Sequence, residues 1–232
     1  MLIFAHRGAS AEAPENTLEA FKLAFDQGAH GIEFDTYQHP EGILVFHDRY
    51  LERTTNGNGK LLDASLASLR ALDAGNNNRI PMLSEVLAIT PLSAWCNIEV
   101  KYLQNAQAWV KTVKADLSKN DISLDRVIVS SFNHQWLRQI KHYWPEVSLG
   151  ALTASYALDI TSDAKQLSAL NIHVALDVVT KTFIEEAKKA GYQVLVYTVD
   201  NIDDMTTLAR WGADGIFTNK PRVALEALTS LR

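Results

Sequence analysis

Short β-branched or apolar runs alternate with helix-patterned segments along nearly the whole chain, and this alternation restricts the fold more than any other feature. Candidate strands fall at 2–6, 31–37, 95–101, 127–132, 147–152, 172–177, 193–199 and 215–219. Eight such runs separated by helices call for parallel pairing through crossover connections. The helices have readable ends. Asn16 is placed to N-cap the first, with Glu19 three positions on, Leu18, Phe21 and Phe25 on one face, and Gly28 as the stop. Ala106, Trp109, Val110, Val113 and Leu117 mark another, and Trp136, Leu137, Ile140 and Trp144, ended by Pro145, a third. Phe183, Ile184 and Ala187 run to Gly191, and Ile202, Met205, Leu208 and Ala209 run to Gly212. The expected architecture is an α/β fold, a (β/α)8 TIM barrel. The 232 residues suit it as one unit, since about 250 is usual.

Two segments depart from plain alternation. The apolar residues Ile43, Leu44, Val45 and Phe46 follow strand two after only the short turn at 38–42. A parallel partner needs a crossover of about a dozen residues, so this run is read as an antiparallel β-hairpin arm. With its turn centred near Glu41, Asp35 would face His47, bringing that imidazole back to strand two despite the intervening residues. Residues 48–81 are polar and rich in Asn and Gly, and are read as a small insertion within a single domain spanning 1–232. They carry a short apolar pattern at Leu62, Leu66 and Leu69, and Leu83, Val86 and Leu87 then form a helix leading to the third barrel strand.

In a barrel of this kind the chemistry sits at the C-terminal strand ends. Strand one ends in His6 and Arg7, strand two carries Glu33 and Asp35 on one face, and strand three carries Glu99 and Lys101 on one face. With His47 from the hairpin this gathers three carboxylates, two imidazoles and two cations. Converging carboxylates resist ionising together, and a hard divalent cation resolves the conflict. Oxygen-only ligands favour Ca²⁺ or Mg²⁺ over zinc. Arg7 and Lys101 suit a phosphate oxyanion, and the two histidines suit general acid and base. The reaction expected is phosphodiester cleavage.

The net charge of −5 and pI near 5.8 argue against a nucleic-acid partner and fit a small anionic substrate only where cations are gathered locally. The lone Cys96 excludes an intrachain disulfide. The apolar run at 1–5 is too short for a signal segment and no stretch reaches a membrane span, so a cytoplasmic location without stable membrane association is expected. His30, His39, His142 and His173 are read as structural, and His134 as a helix-end residue near the barrel mouth.

Ten blocks, in order, make the reading specific: H-R-G at 6–8, P-E-N-T at 14–17, G-I-E-F-D at 31–35, F-H-D at 46–48, R-T-T-N-G at 53–57, L-D-A-G at 72–75, I-E-V-K at 98–101, S-S-F at 130–132, Y-T-V at 197–199 and D-G-I-F-T at 214–218. Together they resemble the signature blocks of glycerophosphodiester phosphodiesterases. The resemblance implies that Glu33, Asp35 and Glu99 ligate one divalent cation and that His6 and His47 are the catalytic pair. It implies that Arg7, Lys101 and Tyr197 bind substrate or its phosphate, and that Glu15 and Asn16 brace the first loop. The implied reaction is hydrolysis of glycerophosphodiesters, such as glycerophosphocholine or glycerophosphoethanolamine, to sn-glycerol 3-phosphate and an alcohol. A phospholipase D-like lyase on the same barrel, forming a cyclic phosphate from lysolipids or sphingolipids, is the alternative. A catalytically dead scaffold is opposed by the retention of every implied ligand and acid–base residue. Which histidine is the acid, and whether water or the glycerol 2-hydroxyl attacks first, the residues leave open. Tyr197 stands where the family usually has Trp, and Asn219 where Asp is common, departures that bear on substrate preference.

Overall fold

The structure, a computed structural model, describes residues 1–231. Its strands are β1 (Leu2–His6), β2 (Gly31–His39), β3 (Gly42–Val45), β4 (Trp95–Tyr102), β5 (Val127–Ser131), β6 (Ser148–Thr153), β7 (Asn171–Ala175), β8 (Gln193–Tyr197) and β9 (Gly215–Thr218). All but β3 run parallel, in the order β1-β9-β8-β7-β6-β5-β4-β2, and pairing of β1 with β2 closes the barrel. The eight barrel strands are those expected. The run anticipated to 177 ends at Ala175, because the N–H groups of Val178 and Val179 turn back to donate to the Ala175 carbonyl.

The helices are α1 (Leu18–Asp26), α2 (Leu66–Arg70), α3 (Leu83–Ile89), α4 (Ala106–Lys119), α5 (His134–Tyr143), α6 (Ser162–Leu167), α7 (Lys181–Lys189), α8 (Ile202–Trp211) and α9 (Pro221–Thr229). Helix α1 corrects one expectation: its cap is Thr17, whose Oγ1 accepts from Ala20 N, while Asn16 points elsewhere.

Period-two alternation divides each strand between two environments. Outward residues such as Ile32, Ile98, Val129, Leu149, Val174 and Ile216 pack under the helices, against Phe21, Trp109 and Ile140. Burying a large apolar side chain of this kind contributes roughly 1.5–3 kcal/mol. Inward residues Phe4, Ile128, Leu195 and Phe217 plug the lower barrel. Nearer the mouth, the inward positions of β2 and β4 are polar, Glu33, Asp35, Asn97, Glu99 and Lys101.

The insertion packs Leu61, Leu69 and Ile80 onto Tyr37, Leu44 and Phe46, which anchors the hairpin arm over the mouth. The register of that arm differs from expectation by one residue. Thr36 pairs with Val45 and His39 with Gly42 around a two-residue Pro40–Glu41 turn, so Asp35 lies opposite Phe46, whose N–H donates to the Asp35 carbonyl at 2.9 Å. Within a ladder that slip would have turned His47 away. His47 lies beyond the last paired residue, where strand alternation no longer dictates direction, and its side chain lines the mouth cavity.

Candidate active site

After β1 the chain turns through Arg7 in the left-handed region (φ 56°). The Arg7 N–H donates to both the carbonyl and Oε2 of Glu33 at 3.0 Å, fastening this turn to β2. Alternation sends Glu33 and Asp35 inward from β2, and Asn97, Glu99 and Lys101 inward from β4, with Asp35 paired to Glu99 across the two strands. One carboxylate oxygen each from Glu33, Asp35 and Glu99 lies within 4.8 Å of the others. All three residues are buried, Asp35 completely.

Such a cluster needs positive charge. Arg7 Nε stands 3.1 Å from Asp35 Oδ2, and Lys101 Nζ stands 3.3 Å from Asp35 Oδ1 and 2.5 Å from Glu99 Oε1. Burial pushes every one of these carboxyls up. At Asp35 the Lys101 and Arg7 cations outweigh burial and hold the group below its ordinary value. Glu33 remains well above its ordinary value through burial and the charges of Asp35 and Glu99, and Glu99 is pushed to about 7 by burial and Asp35. Two cations against three carboxylates leave negative charge unneutralised. Moreover, Glu33 Oε1, Asp35 Oδ1 and Glu99 Oε1 are buried oxygens that accept no well-directed hydrogen bond from the described residues. A donor set of oxygens with free lone pairs converging on one point fits a hard divalent cation.

Two imidazoles border this cluster, each tied back through Nδ1. His6 Nδ1 lies 2.8 Å from Asn219 Oδ1. The Asn219 amide and backbone N–H groups both donate to Asp200, at 2.5 and 2.8 Å, so the amide oxygen must face His6. That places the His6 proton on Nδ1 and leaves Nε2 as the free base, 4.0 Å from Glu33 Oε2. Burial, reinforced by Arg7, lowers the His6 pKa to about 4. His47 Nδ1 lies against Asp48 Oδ1. Arg53 donates to both Asp48 oxygens and also grips Glu15 with two bonds of 2.7 Å, and Glu15 accepts from Arg7 at 2.9 Å. A continuous ionic chain therefore runs from His47 through Asp48, Arg53, Glu15 and Arg7 to Asp35. Asn16, also left-handed (φ 56°), clamps Asp35: its amide donates to Asp35 Oδ2 at 2.8 Å and its Oδ1 accepts from the Asp35 N–H at 3.3 Å.

His6, Arg7, Glu33, His47, Glu99 and Lys101 line one cavity of about 150 Å³, whose other wall is apolar and includes Phe132 and Tyr197. Tyr197 contributes its ring: the hydroxyl donates to the Thr153 carbonyl at 2.7 Å, and the ring meets Phe132 edge-on at 5.8 Å. Glu15 and Asn16 stand behind the lining residues. His134 lies outside it, with Nε2 3.0 Å from the Leu152 carbonyl and Nδ1 3.4 Å from Asp163. Residue-level reasoning did not single out Asp48, Arg53, Asp200 or Asn97. Asp48 and Arg53 carried the only available signal, since both fall inside motif blocks.

A sequence model of the glycerophosphoryl diester phosphodiesterase family matches residues 6–223. The chain is 34% identical to a glycerophosphodiester phosphodiesterase of Caldanaerobacter subterraneus, over 97% of this chain and 96% of that protein. It is equally 34% identical to a glycerophosphodiester phosphodiesterase of Bacillus altitudinis, over 97% and 96%. In three dimensions it superposes with a TM-score of 0.91, at 29% identity and over 99% of this chain and 97% of the other, on an Oleispira antarctica phosphodiesterase in complex with the product sn-glycerol-3-phosphate.

Proposed function

The chain belongs to the glycerophosphoryl diester phosphodiesterase family, and from that premise we propose that it hydrolyses glycerophosphodiesters to sn-glycerol 3-phosphate and an alcohol with one bound divalent cation, Ca²⁺ or Mg²⁺. Glycerophosphocholine and glycerophosphoethanolamine are the expected substrates. The observation that carries this reading is the convergence, at one cavity, of three buried carboxylate oxygens and two imidazoles tied back through Nδ1.

In this reading Glu33, Asp35 and Glu99 hold the cation, which when bound neutralises non-bridging phosphate oxygens as charge builds on them. Arg7 and Lys101 supply further positive charge to the phosphate. His6 and His47 present their Nε2 atoms; one takes a proton from the nucleophile and the other protonates the departing alkoxide. Glu15 holds Arg7 in place, Asn16 holds Asp35, and the Tyr197 ring packs against the substrate's carbon chain. The whole chain, 1–232, acts as one domain with 48–81 as its insertion. A cytoplasmic location belongs to the same reading. Among the described residues no helix is long and apolar enough to cross a membrane.

³¹P NMR of the reaction tests the proposal. Glycerophosphocholine should give the phosphomonoester signal of glycerol 3-phosphate. A persistent cyclic phosphate, formed from lysolipid in preference, would replace hydrolysis by the lyase reaction.

A further inference from the structure

Part of the cavity has no task in the reaction just described. His173 sits in the middle of β7 with its ring inside the barrel, 5.0 Å from the Phe217 ring centroid. It is fully buried (0% exposed) and lines the same cavity as His6 and Lys101. Neither ring nitrogen has a hydrogen-bond partner among the described residues. Burial lowers its pKa to about 3, so the ring is neutral at working pH and offers one donor and one acceptor. The neighbouring strand makes room for it: a Cβ on Gly150 would stand 2.3 Å from His173 Cε1.

Asn97 presents a second such group. It lies one inward step below Glu99 on β4, its amide donates to Ser130 Oγ at 3.0 Å, and its buried Oδ1 has no partner among the described residues. Buried polar groups are ordinarily satisfied, and unpaired ones mark a place that a ligand or water completes.

We propose that His173 and Asn97 form a hydrogen-bonding floor that recognises the terminal hydroxyl of the substrate's glycerol unit. The inference rests on the reading of this site as a glycerophosphodiester hydrolase. His173 pairs with Leu195, one inward step below Tyr197, so it lies deeper than the strand ends that carry the charged groups. The terminal hydroxyl is the glycerol oxygen farthest from phosphorus and reaches deepest. Leu152, Tyr197 and Phe217 beside the floor suit a carbon chain. The residues assigned to the cation and the phosphate line the same cavity of about 150 Å³, so the part beside the floor has room for a three-carbon unit at most and not for a bulky head group. The head group therefore points to solvent, and selectivity falls on the glycerol.

The test compares kcat/KM for glycerophosphocholine with that for its analogue in which hydrogen replaces the terminal hydroxyl. The 2-hydroxyl is retained in both. The wild-type enzyme should prefer the hydroxylated substrate by about tenfold or more, as for a lost hydrogen bond that leaves buried partners unpaired. His173→Phe, which leaves only Asn97, should cut that preference several-fold, chiefly through KM, and His173→Gln, which keeps a donor and an acceptor, should restore part of it. Circular dichroism and thermal melts establish that each variant is folded. A wild-type enzyme indifferent to the hydroxyl would overturn the floor while leaving the hydrolase reading intact, and so would a folded His173→Phe enzyme that kept the full preference. A wild-type enzyme releasing product from neither compound would overturn the hydrolase reading, and the floor with it.

Discussion

Replacing Asp48 by Asn exchanges one oxygen of the group that orients His47 for an NH2. Asp48 Oδ1 accepts from His47 Nδ1, and Arg53 donates to both oxygens, through Nε to Oδ2 and through a terminal nitrogen to Oδ1 at 3.1 Å. An amide satisfies only one of these faces. With the remaining oxygen at the Oδ2 position the Arg53 Nε bond is kept and the NH2 falls beside His47 Nδ1. With it at the Oδ1 position His47 and one Arg53 bond are kept, but the acceptor is neutral and supports an Nδ1 proton less than the carboxylate does. In the first orientation the NH2 can only donate, which drives the imidazole proton to Nε2. In either, the negative charge that supports an Nδ1-protonated imidazole is lost, which weakens His47 as base or as acid. Misassigning a catalytic histidine's tautomer is costly, and here the expected loss in kcat is about 10²- to 10³-fold, or about 2.7–4 kcal/mol of barrier. Stability should hardly change. Arg53 is 47% exposed, and ion pairs of that kind contribute about 0–1 kcal/mol, so the melting temperature should move by no more than about 4 °C. An enzyme-linked assay for glycerol 3-phosphate, run beside a thermal melt, separates the two effects. A variant with kcat within about threefold of wild type would refute the role assigned to Asp48.

Removing either imidazole, by His6→Ala or His47→Ala, should cost about 10²–10⁴-fold in turnover of glycerophosphocholine; near-wild-type rates in both would remove the assigned acid–base pair. Glu99→Gln deletes one of three converging carboxylates, so calorimetric titration of chelator-treated protein should find one cation site in the wild type and loss of saturable binding in the variant. Equal binding in both would exclude Glu99 as a ligand. Gly150→Ala drives a methyl group into the His173 ring; overpacking of this kind costs about 1–3 kcal/mol, a fall of roughly 2–12 °C in melting temperature for a chain of this size. An unchanged melt would show that the ring has space to move.

Features set by local periodicity were legible in the chain. The eight strands and the shared faces of Glu33 with Asp35 and of Glu99 with Lys101 follow from a two-residue repeat, and the structure keeps them. The hairpin register was missed by one residue because the pattern 38–42 does not distinguish a turn centred on Glu41 from the two-residue Pro40–Glu41 turn that forms. Asn16 was misread as a cap because Asn and Thr are both good N-caps, and nothing local reveals that Asn16 spends its amide on Asp35, 19 residues away. The Arg53–Glu15 pair spans 38 residues and the Asn219–His6 contact 213, distances over which only the closed barrel brings partners together. His173 looked like an ordinary strand histidine, since its setting depends on a glycine two strand residues into β6.

The central claim, that three carboxylates bind one cation for diester hydrolysis, is tested most directly by following glycerol 3-phosphate release from glycerophosphocholine before and after exhaustive chelation. Metal content is measured on the same samples. Release should fall to background when the cation is stripped and return on adding Ca²⁺ or Mg²⁺ at one equivalent per chain. Undiminished release from protein whose divalent metal content is far below one equivalent would contradict that claim.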